Sequence, residues 1–206
     1  MKQTSIPPRK TGRPLSFDRQ DVLEKAMLAF WESGYETTSI SDLTAAMGVT
    51  APSLYAAFGN KKQLFLEAMR RYAGDRASLG QTMSEAPTAQ KAVAEMLRAA
   101  AVLYTGDTTP RGCLLASAAA TGSPDAAEVR AAVAAERREV RNIIVRRIEV
   151  DIAQEHLSPD TPATVLADLA IAVTQGMSIL ARDGANRQSL LAVAEAAMTC
   201  WAISEV

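Results

Sequence analysis

The chain has 206 residues, with 22 Lys/Arg against 23 Asp/Glu, a net charge of −1 and only 5% aromatic residues. That length suits a helical protein of one or two small domains with ample core. The two cysteines, far apart in sequence, read as free thiols and not as a disulfide framework. No alternating Val/Ile/Thr runs between turn signals point to strands, and no uninterrupted apolar span reaches bilayer length.

Abundant alanine and few aromatics suit closely packed helices, so the expected fold class is all-α. The near-neutral charge hides an uneven distribution. Residues 1–76 hold 11 Lys/Arg against 8 Asp/Glu, whereas residues 77–206 hold 11 against 15. Positive charge therefore gathers in the first part, where a phosphate-binding surface would need it.

Residues 1–16 are polar, basic and broken by proline, and read as a flexible arm. They carry Lys2, Arg9, Lys10 and Arg13 without an acid or an apolar signal core, which leads us to expect a cytoplasmic protein with no membrane partner. Thr11-Gly12-Arg13-Pro14 either lays the Arg13 guanidinium along a minor groove or serves as a solubilising tail. Asp18 can cap a first helix whose stripe is Val22, Leu23, Ala26, Met27 and Phe30, ended by Gly34.

The stretch 38–62 reads as two short helices joined by a tight turn. Thr38 or Ser39 caps the first, Ile40, Leu43 and Met47 form its stripe, and Gly48 supplies a residue that accepts positive φ. Thr50 caps the second, and Pro52 sits in its first turn, where a missing N–H costs nothing. Leu54 and Phe58 turn that helix back onto the first. The pattern fits a helix-turn-helix, and by itself it also fits an ordinary αα-hairpin. A further helix, capped by Asn60, runs from Lys61 to about Ala77. Lys61 and Lys62 oppose the dipole at its start, so they are either phosphate contacts or a solvated pair.

The flanks favour the helix-turn-helix. Phe30, Gly34, Tyr35, Thr38, Ile40, Leu43, Ala46, Gly48, Val49, Leu54, Tyr55, Phe58, Lys61, Leu64 and Phe65 stand in an order and spacing that resembles the N-terminal DNA-binding domain of the tetracycline-repressor (TetR/AcrR) family. The likeness runs from about Phe17 to Tyr72. Ala56 and Ala57 depart from it, because many members carry an aromatic or His there. The resemblance implies a three-helix DNA-binding domain at 17–76 and a helical-bundle ligand-binding and dimerisation domain at 77–206.

After a break expected at Gly80–Pro87, five helices are expected: Thr88–Tyr104, Gly112–Thr121, a long one opened by Ser123-Pro124 and running to about Leu157, Thr161–Arg182, and Ser189–Ile203. The Arg/Glu-dense stretch from Glu136 to Arg147 reads as a solvated helix face. The last two helices resemble the family's dimer seam. The expected seam residues are Ala170, Val173, Met177, Leu180, Leu191, Ala194, Ala197 and Met198, each of which also fits an intramolecular core.

No Cys/His/carboxylate cluster has metal spacing, and no glycine-rich loop could cradle a phosphate, so neither a cofactor nor an enzymatic role is expected. His156 reads as a cation at a helix end. The expected function is a homodimeric, ligand-responsive repressor of a palindromic operator in double-stranded DNA. The expected DNA contacts are Arg13, Thr38, Thr50, Ala51, Pro52, Ser53, Tyr55, Ala56, Lys61 and Lys62, of which Ala51, Pro52, Ser53 and Ala56 face bases. The family resemblance implies a cavity for a small-molecule effector, with Tyr104, Cys113, Leu114, Leu115 and Met177 as its wall. Two other readings stay open: a redox or electrophile sensor acting through Cys113, which is equally a packed core thiol, and a helical adaptor that binds protein but not DNA.

Overall fold

The computed structural model describes residues 17–74, 76–117 and 126–204. Among these residues lie ten α-helices and no strand: α1 (Arg19–Ser33), α2 (Ile40–Met47), α3 (Ala51–Phe58), α4 (Lys61–Ala73), α5 (Arg76–Glu85), α6 (Ala89–Tyr104), α7 (Leu114–Ser117), α8 (Ala127–Ala153), α9 (Ala163–Arg182) and α10 (Arg187–Met198). A short 3-10 segment, Thr199–Ser204, follows.

Local chemistry starts each helix of the N-terminal unit. The Asp18 carboxylate accepts from Gln20 N at 2.8 Å to cap α1. Ser39, not Thr38, caps α2 in a reciprocal box: Asp42 N–H donates to Ser39 Oγ at 3.1 Å and Ser39 N–H to Asp42 Oδ2 at 2.8 Å. The Ser39 hydroxyl also donates to Asp42 Oδ2 at 2.7 Å, and this bond, with that from Ser39 N–H, favours the charged form and holds the Asp42 carboxyl below its ordinary range. Asn60 caps α4 through Gln63 N–H at 2.9 Å. Each such cap is worth about 1 kcal/mol.

Side chains from all four helices close one core. Leu43, Leu54, Leu64 and Phe65 are fully buried. The Phe65 ring meets Phe30 and Tyr35 edge-on, both at 5.1 Å between centroids. Outside that core, Arg19 on α1 forms a two-pronged pair with Glu67 on α4 (Nη2 to Oε2 2.8 Å) and lies 4.5 Å over the Phe58 ring. The guanidinium holds the Glu67 carboxyl below its ordinary range.

Several expected boundaries move. α4 ends at Ala73, because Gly74 takes φ 67° and caps it, and a separate helix, α5, then runs straight through Gly80. The C-terminal part therefore has six α-helices among the described residues, one more than expected. The proposed opening at Ser123-Pro124 lies outside the described residues, while α8 is helical from Ala127. The last helix starts at Arg187, on the cap Asn186, and gives way to 3-10 geometry at Thr199.

The Glu136–Arg147 stretch is a solvated face only in part: Arg138 and Arg146 are exposed and Arg141 pairs with Asp168 at the surface, but two of its charged residues are not on that face. Glu136 and Arg147 are both buried. Arg147 donates to the carbonyls of Met83 (3.0 Å) and Ala86 (3.1 Å) and pairs with Asp151, which itself accepts from Ala89 N–H at 2.6 Å. One buried ion pair thus ties the end of α5 and the start of α6 to α8. His156 Nδ1 lies 3.9 Å from Asp151 Oδ1.

By length and composition α9 is apolar enough to cross a membrane, though Asp168 interrupts it. One face, with Leu166, Ala167, Ala170, Met177 and Ala181, fills the core against α6, α8 and α10. Its other face leaves Val165 61% and Ile179 59% exposed. Asp168 is held by Arg141 of α8 through two hydrogen bonds, the longer 3.1 Å.

Candidate nucleic-acid interface and internal cavity

The turn between α2 and α3 needs a left-handed residue, and Gly48 takes φ 70° there with open space around it. Thr50 then caps α3: its Oγ1 accepts from Ser53 N–H at 3.4 Å and lies 2.9 Å from the Ser53 hydroxyl. Leu54 and Phe58 pin α3 to the core, so the opposite side of the helix is presented outward. Thr50, Pro52, Tyr55 and Ala56 are exposed, Tyr55 by 46%, and Ala51 and Ser53 are half-buried. These six form one patch around the N-terminal half of α3.

Lys61 stands beside this patch. Its ammonium donates to the Glu36 carbonyl at 3.2 Å and sits 4.7 Å from the centre of the Tyr35 ring. Partial burial pushes its pKa below the ordinary lysine value, against the pull of the Glu36 and Asp42 carboxylates.

Two expected contacts are elsewhere. Thr38 is only 1% exposed, and its hydroxyl donates to the Gly34 carbonyl at 2.6 Å, so it ties the end of α1 to α2. Lys62 points toward the C-terminal part, where its Nζ meets Glu128 Oε2 of α8 at 2.6 Å. Arg13 lies outside the described residues.

A cavity of about 410 Å³ opens between α4, α6, α8 and α9. Of the wall residues named from the sequence, Tyr104, Cys113 and Leu115 line it. Leu114 and Met177 do not: both are fully buried in neighbouring packing. Sequence patterns gave no hint that Tyr72, Met96, Arg137 or Gln175 also line it. The Tyr72 hydroxyl donates to Cys113 Sγ at 3.4 Å. Burial, with the Cys113 sulfur next to them, raises both the Tyr72 and Tyr104 pKa far above the ordinary value, so both stay neutral donors. Cys113 is 6% exposed and Cys200 is exposed, and both are free thiols.

The expected seam also divides. Ala170, Met177 and Ala194 are buried within the subunit. Leu180 is exposed, and Val173, Leu191, Ala197 and Met198 are half-buried.

This geometry has close relatives. Residues 22–68 match the family described as bacterial regulatory proteins, tetR family, and residues 89–198 match the tetracyclin repressor-like C-terminal domain. The chain belongs to the TetR family. The HTH-type transcriptional repressor ComR of Escherichia coli (strain K12) is 35% identical over 199 residues, covering 94% of this chain and 93% of its own. BdcR, another HTH-type transcriptional repressor of that strain, is 27% identical over 194 residues, covering 94% and 91%. Among solved structures, a cysteine mutant of the TetR family regulator CifR, complexed with 26 bp double-strand operator DNA, is 42% identical with a TM-score of 0.87, covering 92% of this chain and 100% of that one. In TetR terms, α1–α3 form the reading unit, and α6, α8 and α9 supply most of the cavity.

Proposed function

We propose that this protein is a homodimeric transcriptional repressor that holds a palindromic operator through α3 and releases it when a small molecule fills the cavity. The observation that carries this reading is the exposed N-terminal half of α3, capped by Thr50 and anchored from behind by Leu54 and Phe58. A helix presented in this way fits a major groove. The similarity to CifR, which has been solved on operator DNA, and to the repressors ComR and BdcR supports the same reading.

Within it, Thr50, Tyr55 and Lys61 contact phosphates and fix the register. Ala51, Pro52, Ser53 and Ala56 face the bases and offer mostly apolar contact, which suits thymine methyl groups. The outer face of α9, with Val165, Ile179 and Leu180, joins Val173 and the half-buried residues of α10 to form the seam between subunits. A two-fold axis there repeats α3 in a second groove about 34 Å away, hence the palindrome. The effector acts only through its differential affinity for the two spacings of the reading units. The protein works by binding, not by turnover, in the compartment that holds the chromosome.

Footprinting on the DNA upstream of the protein's own gene tests this. The expected result is protection of an inverted repeat, lost for a chain carrying Ser53→Glu. No protection of any upstream segment, by a folded protein, would leave a protein-binding adaptor as the better reading.

A further inference from the structure

The cavity has two unlike ends. Its inner wall is apolar, formed by Met96, Leu115 and the rings of Tyr72 and Tyr104. The polar groups there are already engaged: the Tyr72 hydroxyl is given to Cys113, and the Thr174 hydroxyl to the carbonyls of Ala170 (2.7 Å) and Ile171 (2.9 Å) in its own helix. Toward α8 the wall changes to Glu136, Arg137 and Gln175.

A second hollow of about 290 Å³ shares Arg137, Ile171 and Gln175 with the first and adds Arg138 and Arg141. The cavity therefore continues outward past three arginines of α8, the adjacent Arg137 and Arg138 and, one turn on, Arg141. Arg141 is neutralised by Asp168. Glu136 has an interaction partner within the protein. Among the described residues neither Arg137 nor Arg138 forms an ion pair, and Arg137 Nη1 has only the neutral Gln175 Oε1 at 3.5 Å. The charge left uncompensated at this mouth is positive. A half-buried guanidinium is best satisfied by a carboxylate, whose two oxygens match its fork.

We infer that the effector is a small amphipathic monoanion: an aryl or alkyl carboxylate whose apolar body fills the inner cavity and whose carboxylate rests on Arg137 and Arg138. This rests on the reading of the cavity as the effector site. The volume lies in the ~300–1,000 Å³ range of small-ligand sites. A lipophilic cation is disfavoured, because Arg137 and Arg138 repel it.

Calorimetric titration of the whole protein with phenylbutanoate, phenylbutanol and phenylbutylamine, which share one apolar body, reads the head-group preference. Phenylbutanoate is expected to bind about 10-fold or more tightly than the other two, the worth of one charge-assisted contact. Arg137→Gln with Arg138→Gln should abolish that advantage and leave phenylbutanol binding unchanged. Added salt, in the unaltered protein, should weaken the carboxylate and not the alcohol. Equal binding of carboxylate and alcohol, tighter binding of the amine, binding of none of the three, or a preference indifferent to salt would each overturn the inference. The titration contains no DNA, so a protein that failed to shift its operator would count against the repressor reading while leaving the head-group result intact.

Discussion

The Trp31 indole donates its N–H to the Gly112 carbonyl at 3.0 Å, joining the last turn of α1 to the loop that precedes the cavity residue Cys113. Around this bond the fit is close. The Trp31 ring meets the Tyr72 ring edge-on at 4.8 Å, and Arg182 of α9 donates to the Trp31 and Glu32 carbonyls at the end of α1. Gly112 takes φ 80°, and a Cβ there would lie 2.8 Å from the Ser178 carbonyl, so only glycine fits. The reading unit and the cavity wall are thus held to each other by packing and by hydrogen bonds.

Trp31→Phe keeps the aromatic contact and removes the donor, leaving the buried Gly112 carbonyl without its partner. The expected loss is about 1–3 kcal/mol in urea unfolding. Operator affinity without effector should change little, while release by an effector should become weaker. An unaltered unfolding midpoint would show that this bond contributes nothing.

Lys61 and Lys62, adjacent in sequence, should behave differently on DNA. Lys61→Ala should weaken all operator sequences about equally and lower the slope of log K against log salt by about one unit. Lys62→Ala, which removes the Glu128 pair, should leave that slope close to that of the unaltered protein. A changed base preference in Lys61→Ala, with the slope intact, would overturn its assignment to phosphate.

Charges on α9 should separate the seam from the core. Ile179→Glu, on the exposed face, should give folded monomers in sedimentation and abolish operator binding, because one half-site holds too little DNA. Met177→Glu, at a fully buried position, should unfold the subunit, since an isolated charge cannot be left inside the core. A dimeric, DNA-competent Ile179→Glu protein would move the seam to another surface.

Asp151 holds both Arg147 and the first N–H of α6. Asp151→Asn leaves the Arg147 charge buried without a counter-ion, and the expected cost is about 3–5 kcal/mol. Thermal or urea unfolding measures it directly; a loss under about 1 kcal/mol, the range of an exposed pair, would mean that water reaches this site.

Cys113 faces the cavity but has little exposed surface, and its sulfur accepts from Tyr72. Operator release by oxidant or alkylating agent, compared between the unaltered chain and Cys113→Ser, separates sensing from packing. Burial of the sulfur leads us to expect equal behaviour of the two; release only in the unaltered chain would make Cys113 the sensor.

The caps and turns of the reading unit were legible because their partners stand two to four residues away. Ser39 with Asp42, Gly48, Thr50 with Ser53, and Asn60 with Gln63 are settled by chain geometry that any such sequence carries with it. The stripes of α1 to α4 were legible for the same reason: helical spacing alone shows which side is apolar. What that side meets is not local. Met177 and Ile179 both lie on an apolar helix, and only the positions of α6, α8 and α10 put one in the core and the other on the surface. Lys62 finds Glu128 across 66 residues, Arg147 finds carbonyls more than 60 residues away, and Thr38 is buried because α1 ends against it. The cavity is the furthest from the sequence. Its wall is contributed by helices that span half the chain, and its charge depends on which arginines the fold leaves without a carboxylate, a matter decided by packing distances and not by the order of residues.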